Sequence, residues 1–365
     1  MVALSLSSQV PVVVMTGFLG AGKTTLLKKL LCRPELQGTA VIVNEFGEIG
    51  LDHDLLEVGD ETVVELDGGC LCCTVRSDLT DTLRDLHRRH ATGDIELKRV
   101  IIETTGLADP APILATLLGD AYAGHYFRLA SVVTLVDAVN GLATLDAHIE
   151  APRQVAVADR LVLTKIDLAV EVEPLQAALR SLNPTAPILR VNHGEAEPAD
   201  LLEDGLFDPA TRSADVQAWL RAEWLAPGDD HEHHDHPHDH DHHHDVNRHG
   251  EDIRAFCVRR DEPIPTAAFE AFMNVLWDMR GADLLRVKGL VCLSEEPDKP
   301  LVFHAVQHAI HPTVSLGNWP SADRSTRIVF IVRDILPSQV ETMLDKLTAQ
   351  ANDTGAQSAI AGKAG

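Results

Sequence analysis

A glycine-rich stretch near the start of the chain constrains the fold more than any other feature of the sequence. Residues 17–24 read G-F-L-G-A-G-K-T and match the pattern G-x-x-x-x-G-K-[ST] at every fixed position. A strand-forming apolar run (10–15) precedes the stretch, and a helix-forming run (25–31) follows it. Glycines let successive backbone N–H groups curl around phosphate oxygens, and the following helix points its positive end at them. The sequence therefore predicts a phosphate-binding loop, with a chance glycine-rich turn as the alternative.

Two side chains in this loop carry predicted roles. Lys23 is expected to reach the β- and γ-phosphates of a nucleotide, and the Thr24 hydroxyl is expected to hold Mg²⁺. The glycines that shape the loop are Gly17, Gly20 and Gly22. This motif by itself identifies neither the base nor the purpose of the nucleotide.

Composition excludes some classes of protein. The chain has 365 residues, of which 45% are hydrophobic, so it is long enough for two domains with sizeable cores. Its formal net charge of −24 argues against nucleic acid as a partner. No apolar run approaches the length of a membrane span and the N-terminus lacks the basic flank of a signal peptide, so we expect a cytoplasmic protein without membrane attachment.

Strand-forming and helix-forming segments alternate along the first part of the chain. Apolar β-branched runs predict strands, and amphipathic segments between them predict helices. This alternation predicts an α/β fold, a P-loop NTPase domain with a mostly parallel sheet and functional loops at the carboxyl ends of the strands. The predicted strands are 10–15, 40–43, 62–66, 100–102, 131–136, 161–163 and 188–191, and the helices include 77–90, 111–118 and 173–182.

The composition changes abruptly near residue 227 and defines the domain organisation. A His/Asp-rich linker (227–250) has almost no apolar residues and cannot form a core. We therefore predict the P-loop nucleotide-binding domain at 1–226, a smaller α+β C-terminal domain at 251–350, and a flexible tail at 351–365. The smaller domain should contain a strand, a helix, three strands and a helix, at 252–258, 266–280, 284–293, 301–309, 327–332 and 338–350.

A carboxylate at a strand end forms a second candidate phosphate motif. Residues 101–106 read I-I-E-T-T-G, which places Glu103 at the end of an apolar strand and Gly106 three residues later. In this arrangement Glu103 would bind Mg²⁺ through water, and the Gly106 N–H would contact the γ-phosphate. The alternative is an ordinary solvated glutamate.

A third motif predicts the identity of the base. Residues 161–167 end another apolar run with T-K-I-D, comprising Thr164, Lys165 and Asp167. An aspartate carboxylate can accept hydrogen bonds from both N1–H and the exocyclic amine of guanine, a donor pair that adenine lacks. The tetrapeptide alone fits an ordinary strand-to-loop turn equally well, but its position after both phosphate motifs favours GTP. The usual first residue of this motif is Asn, and Thr164 departs from it.

Three cysteines within four residues suggest a metal site. Cys70, Cys72 and Cys73 follow the segment 44–50, where a mobile switch loop is expected. Packing would account for one or two cysteines, so metal ligation is preferred, with redox exchange as the main competitor. Thiolates are soft ligands that suit Zn²⁺, and three of them leave a fourth position for Glu48, a histidine, water or a client's ligand.

Together these motifs resemble the CobW-type subgroup of P-loop GTPases, which are relatives of the urease and hydrogenase nickel-insertion GTPases. The resemblance covers nearly the whole chain, including C-terminal segments at 286–289, 306–307 and 327–331. Its motifs are G-F-L-G-A-G-K-T-T, N-E-F-G-E, G-G-C-L-C-C-T, E-T-T-G-L-A-D-P, V-D-A and T-K-I-D.

The resemblance implies GTP-dependent handling of a transition metal. Most members are described as zinc chaperones, and others are linked to cobalt in cobalamin synthesis or to nitrile hydratase activation. The implied cofactors are GTP and Mg²⁺ with Zn²⁺, or alternatively Co²⁺ or Ni²⁺, and the implied partner is a client metalloprotein. We expect a monomer or a dimer that depends on metal or nucleotide. Carried over by motif, the residues that bind phosphates and Mg²⁺ are Gly20, Ala21, Gly22, Lys23, Thr24 and Thr25.

The linker offers a second class of metal ligand. Nine of the fifteen residues from 231 to 245 are histidine, interleaved with aspartate, which gives several sites of low specificity for Zn²⁺, Co²⁺ or Ni²⁺. A solvated linker or an engineered tag is the alternative, although the irregular spacing argues against a tag. Three later histidines, His304, His308 and His311, are expected to be mostly structural or surface residues, with completion of a metal site by one of them as the alternative. The nine histidines of the stretch 231–245, called the linker histidines below, are His231, His233, His234, His236, His238, His240, His242, His243 and His244.

These features predict a two-domain GTPase metallochaperone with slow intrinsic turnover. Two alternatives stay open. One is a metal-storage or sensing protein in which GTP binding is vestigial, and the other is a redox protein that uses Cys72 and Cys73.

Overall fold

The chain folds into two compact units, Met1–Ala210 and Thr211–Gly365. The computed structural model describes residues 9–43, 63–65, 74–192, 195–202, 253–307, 309–310 and 313–361. Across these ranges, no helix is long and apolar enough to cross a bilayer.

The first unit contains a seven-stranded sheet in the order β3-β2-β4-β1-β5-β6-β7, with every pair of neighbours parallel. All seven predicted strands are present, so the predicted α/β class is confirmed. The strands are β1 (Val10–Gly17), β2 (Thr39–Val43), β3 (Val63–Glu65), β4 (Arg99–Glu103), β5 (Phe127–Asp137), β6 (Arg160–Thr164) and β7 (Ile188–Arg190).

Helices cover both faces of this sheet. Val162 of β6 belongs to the apolar cluster that includes α1, whereas its neighbours Leu161 and Leu163 belong to the cluster that includes α6 and α7. Successive side chains of a strand point to opposite faces, so the two clusters lie on opposite sides of the sheet. The helices are α1 (Lys23–Leu31), α2 (Thr74–Ala91), α3 (Ala111–Gly119), α4 (Ala123–Tyr126), α5 (Gly141–Ala147), α6 (Glu150–Ala156), α7 (Glu173–Leu182) and α8 (Pro198–Leu202).

The carboxyl ends of four neighbouring strands meet at one edge of the sheet. Strand β1 is fully buried from Val12 to Met15 and lies between β4 and β5, and β5 pairs with β6. Since all these strands are parallel, their last residues share one edge. Those residues are Gly17, Glu103, Asp137 and Thr164.

The second unit contains an antiparallel sheet in the order β11-β10-β9-β13-β8, with β12 also paired to β10. Its core combines aliphatic and aromatic side chains, and in it Phe256 stacks on Phe330 and Phe269 meets Phe303 edge to face. The predicted α+β character is confirmed. The elements are β8 (Ile253–Arg260), α9 (Thr266–Arg280), β9 (Arg286–Val291), β10 (Leu301–Val306), β11 (Ala309–Ile310), β12 (Val314–Ser315), β13 (Thr326–Arg333) and α10 (Pro337–Ala361).

Two predicted boundaries in this unit are wrong. The predicted strand 301–309 divides after Val306, because Gln307 has a left-handed φ of 47° and turns the chain back into β11. Helix α10 continues to Ala361 and thus extends into 351–361, which the sequence predicted as the start of a tail. Four alanines in this stretch favour the helix and offset its one glycine.

Candidate nucleotide-binding site

The glycine-rich loop after β1 depends on backbone conformations that only glycine adopts easily. Gly17, Gly20 and Gly22 have φ values of 138°, 75° and 91°. A Cβ atom on Gly17 would lie 2.3 Å from the carbonyl oxygen of Leu135 in β5, so the loop also needs glycine for space. The Ala21 N–H donates to the Phe18 carbonyl at 3.1 Å and closes the turn.

Helix α1 begins directly after this loop. Its N-cap residue is Gly22, which has no side chain to cap the first backbone N–H groups, so these groups are available to an anion. The Lys23 ammonium is mostly buried and donates to the carbonyl oxygens of Gly17 at 2.8 Å and Phe18 at 3.3 Å. Lys23 therefore lies across the loop, and Thr25 is exposed on the first turn of the helix.

The two residues predicted to hold Mg²⁺ are in direct contact. The Thr24 hydroxyl donates to Oε1 of Glu103 at 2.7 Å, and Glu103 is only 6% exposed. Strand β4, which ends at Glu103, pairs with β1, and this pairing brings the carboxylate beside the start of α1. A hydroxyl and a carboxylate are hard oxygen donors of the type that Mg²⁺ prefers, so the pair fits this ion.

Gly106 lies against the backbone of the phosphate loop. A Cβ atom at Gly106 would be 2.6 Å from the amide nitrogen of Leu19, a distance that no side chain permits. The chain just before it is fastened to β1, because the Thr104 N–H donates to the Met15 carbonyl at 2.9 Å and the Thr104 hydroxyl donates to the Thr16 hydroxyl at 2.8 Å. Gly106, whose N–H is predicted to contact the γ-phosphate, therefore lies beside the predicted phosphate loop.

The T-K-I-D segment is tied to the phosphate loop by its first residue. The Thr164 hydroxyl donates to the Ala21 carbonyl at 2.8 Å, so threonine at this position links β6 to the loop. Lys165 has a left-handed φ of 56°, which costs energy for a residue with a side chain and is typical of functional sites. The Asp167 side chain is exposed in the turn that follows, where a ligand can reach it.

Asp137, at the end of β5, holds Lys165 of the T-K-I-D segment in place. The sequence analysis assigned no role to this residue. Its carboxylate accepts a hydrogen bond from the Lys165 ammonium at 2.7 Å and others from the Val139 and Asn140 backbones. Burial by itself raises the pKa of the Asp137 carboxyl, but the hydrogen bonds from Lys165, Asn140 and Val139 outweigh it and hold the pKa below its ordinary value. Asp137 therefore stays charged at neutral pH and anchors the Lys165 side chain.

The predicted metal-ligating residues lie outside the described part of the chain. Within the described ranges, no group of three or more His, Cys, Asp or Glu side chains is placed to hold a metal ion. His304 is described and is buried in β10 opposite Lys288 of β9. The residues outside are Glu48, Cys70, Cys72, Cys73, His231, His233, His234, His236, His238, His240, His242, His243, His244, His308 and His311.

Both units of the chain match known protein families. Residues 11–190 match the family described as "CobW/HypB/UreG, nucleotide-binding domain", and residues 253–348 match the "Cobalamin synthesis protein cobW C-terminal domain". The zinc chaperone YjiA of Escherichia coli is 33% identical over 298 residues, which are 82% of this chain and 86% of YjiA. A zinc chaperone CobW from Sinorhizobium sp is 29% identical over 363 residues, covering 88% of this chain and 92% of the relative.

A solved structure agrees with these sequence matches. The crystal structure of the Zn(II)-bound YjiA GTPase from E. coli superposes with a TM-score of 0.69 at 28% identity, and the match covers 93% of this chain and 99% of that one. With the phosphate loop, the Thr24–Glu103 contact and the Gly106 approach all in place, these matches show that the chain belongs to the CobW/HypB/UreG family of P-loop GTPases.

Proposed function

We propose that this protein is a GTPase that couples its nucleotide state to the custody and delivery of Zn²⁺. The observation that supports the proposal most is the contact of Thr24 with Glu103, together with the approach of Gly106 to the phosphate loop, because these are the residues to which we assign Mg²⁺ and the γ-phosphate. The relatives named zinc chaperones support the choice of metal.

In the GTP step, each group has one role. The Lys23 ammonium contacts the β- and γ-phosphates, and the Gly106 N–H contacts the γ-phosphate. Thr24 would hold Mg²⁺ through its hydroxyl and Glu103 would hold it through water, and the bound ion would neutralise charge on the phosphate oxygens. Glycine backbones at Gly17, Gly20 and Gly22, with Ala21 and Thr25, complete the phosphate cradle. These groups position the substrate and neutralise charge, so intrinsic turnover should be slow.

Guanine is selected at the other end of the site. Asp167 accepts from the two donors of the guanine edge, while Lys165, held by Asp137, and Thr164, bonded to the phosphate loop, fix the position of that turn.

The cargo is Zn²⁺, bound by the thiolates of Cys70, Cys72 and Cys73, with the fourth position open to Glu48, a histidine, water or a client's ligand. An incomplete thiolate shell permits transfer, whereas a closed four-thiolate site would be structural. The linker histidines capture metal with low specificity, so Co²⁺ and Ni²⁺ also bind there. The recipient is a client metalloprotein, and we place the reaction in the cytoplasm.

We expect two classes of zinc site that separate by mutation. Deleting residues 229–245 removes the weak imidazole sites but no core-forming residue, so zinc stoichiometry should fall while folding and GTP hydrolysis persist. In that deletion background, Cys72→Ala should remove the remaining tight site and leave GTP affinity nearly unchanged. The measurement is a zinc titration against a chromogenic chelator, with GTP binding followed in parallel.

Two outcomes of this titration would contradict the proposal. One is loss of the folded state on deletion of 229–245, which would make the linker structural. The other is a tight zinc site that survives Cys72→Ala, which would place the cargo elsewhere.

A further inference from the structure

Gln154 of α6 connects this helix to the loop that follows β4. Its side chain is only 1% exposed, and its Nε2 donates to two backbone carbonyl oxygens, that of Gly106 at 3.2 Å and that of Ala108 at 3.0 Å. Buried carbonyl groups need such partners, because an unpaired one costs about 1–3 kcal/mol. One amide group therefore fixes two peptide units of this loop.

The backbone of Gln154 is itself anchored to the sheet. The Thr134 hydroxyl, in β5, donates to the Gln154 carbonyl at 2.8 Å, and Thr134 is 1% exposed. Strand β5 pairs directly with β1, which ends in the phosphate loop. The amide of Gln154 is thus held at a fixed position relative to the strand that carries the nucleotide site.

The residue before Gln154 contacts the same loop farther along. Arg153 forms an ion pair with Asp109 at 3.5 Å, and Asp109 in turn accepts a hydrogen bond from the Ala111 N–H at the start of α3. Helix α6 therefore contacts the loop from Gly106 to Asp109. Gly106 is the first residue of this loop, and a Cβ atom added to it would lie 2.6 Å from the backbone nitrogen of Leu19.

We propose that Gln154 is a positioning residue for recognition of the γ-phosphate. Its two hydrogen bonds hold the Gly106 segment against the phosphate loop, so that the Gly106 N–H is already in place when a triphosphate binds. The inference rests on the proposed role of Gly106. GDP has no γ-phosphate, so loss of the Gln154 amide should weaken triphosphate binding selectively.

The test compares dissociation constants of a non-hydrolysable GTP analogue and of GDP. Gln154→Met keeps the length of the side chain but cannot donate, and we expect about tenfold weaker binding of the analogue with GDP affinity unchanged within about twofold. Gln154→Asn, which withdraws the amide by one methylene, should act in the same direction and serves if the Met variant does not fold. An unchanged ratio of the two constants in both variants would overturn the proposal.

Asn183, the residue after α7, provides a matched control because its side chain contacts the same helix as Gln154. Its buried amide donates to the carbonyls of Val155 at 2.8 Å and Ala158 at 2.9 Å, which follow Gln154 in the chain and lie outside the Gly106–Asp109 loop. Asn183→Leu should lower the free energy of unfolding without changing the ratio of the dissociation constants of the analogue and GDP. If Asn183→Leu changes this ratio as much as Gln154→Met does, Gln154 has only a structural role.

GTP hydrolysis by the wild-type protein separates the Gln154 proposal from the proposed function. If the wild-type protein hydrolyses GTP and Gln154→Met leaves the ratio of the two dissociation constants unchanged, only the Gln154 proposal fails. If the wild-type protein neither hydrolyses GTP nor binds the analogue, the proposed function is wrong and the Gln154 proposal falls with it.

Discussion

Asp167→Asn is expected to weaken GTP binding by about 2–3 kcal/mol, roughly 30- to 150-fold. The substitution preserves the size of the side chain but replaces a two-oxygen acceptor with one acceptor and one donor. The amide can then accept from only one of the two guanine donors and opposes the other. The fold should be unaffected, since Asp167 is exposed in a turn that Thr164 and Lys165 hold from β6.

The same variant should gain affinity for xanthosine triphosphate. Xanthine has a carbonyl oxygen where guanine has its exocyclic amine, and the new amide N–H can donate to that oxygen. Competition binding of GTP, ATP and xanthosine triphosphate to wild-type and variant protein measures both effects. Wild-type protein that binds ATP as tightly as GTP would show that the base assignment is wrong.

Gly17→Ala is expected to destabilise the first unit by about 3 kcal/mol or more. An alanine Cβ would lie 2.3 Å from the Leu135 carbonyl oxygen and 3.0 Å from the Leu135 amide nitrogen, both in the backbone of β5. No side chain can move aside to relieve these contacts, so β1 and β5 must separate. The φ of 138° adds backbone strain to the clash.

Gly93 is the matched control for this variant. It also has a left-handed φ, of 81°, but an added Cβ meets no atom within 4 Å. Gly93→Ala should therefore cost only the strain, about 1 kcal/mol. Hydrogen exchange of the β1 and β5 amides reports on this unit alone and measures both variants. Equal losses for Gly17→Ala and Gly93→Ala would contradict the steric argument.

Local sequence was enough to predict the elements that position the site. The phosphate loop, the strand ending at Glu103 and the T-K-I-D turn each combine an apolar run with residues whose type follows from their chemistry. Parallel pairing then brings the strand ends together, because a parallel sheet places all its carboxyl ends at one edge. The contact between Thr24 and Glu103, 79 residues apart, follows from that rule.

The contacts that hold the site residues in position could be identified only from the three-dimensional structure. Gln154 lies 48 residues from Gly106 in sequence, and nothing in the local pattern of α6 distinguishes it from an ordinary helical glutamine. Asp137 ends a strand and belongs to the V-D-A motif, but its tie to Lys165 spans 28 residues. The break at Gln307 also had no signal, because glutamine is not a residue that favours left-handed backbone.

We expect the nucleotide state of the protein and its affinity for zinc to be linked. In the sequence, the cysteine motif lies between the expected switch loop at 44–50 and the strand end at Glu103, so ordering of these loops by γ-phosphate and Mg²⁺ should change how well the thiolates converge on one ion. The linkage is reciprocal, and zinc should shift the preference between GTP and GDP by the same factor.

The most direct test measures zinc affinity by chelator competition in the presence of GDP and of a non-hydrolysable GTP analogue, using the protein that lacks residues 229–245. We expect the two affinities to differ by about 1–3 kcal/mol, and the difference to disappear in Cys72→Ala. Equal zinc affinity in the two nucleotide states would contradict the account.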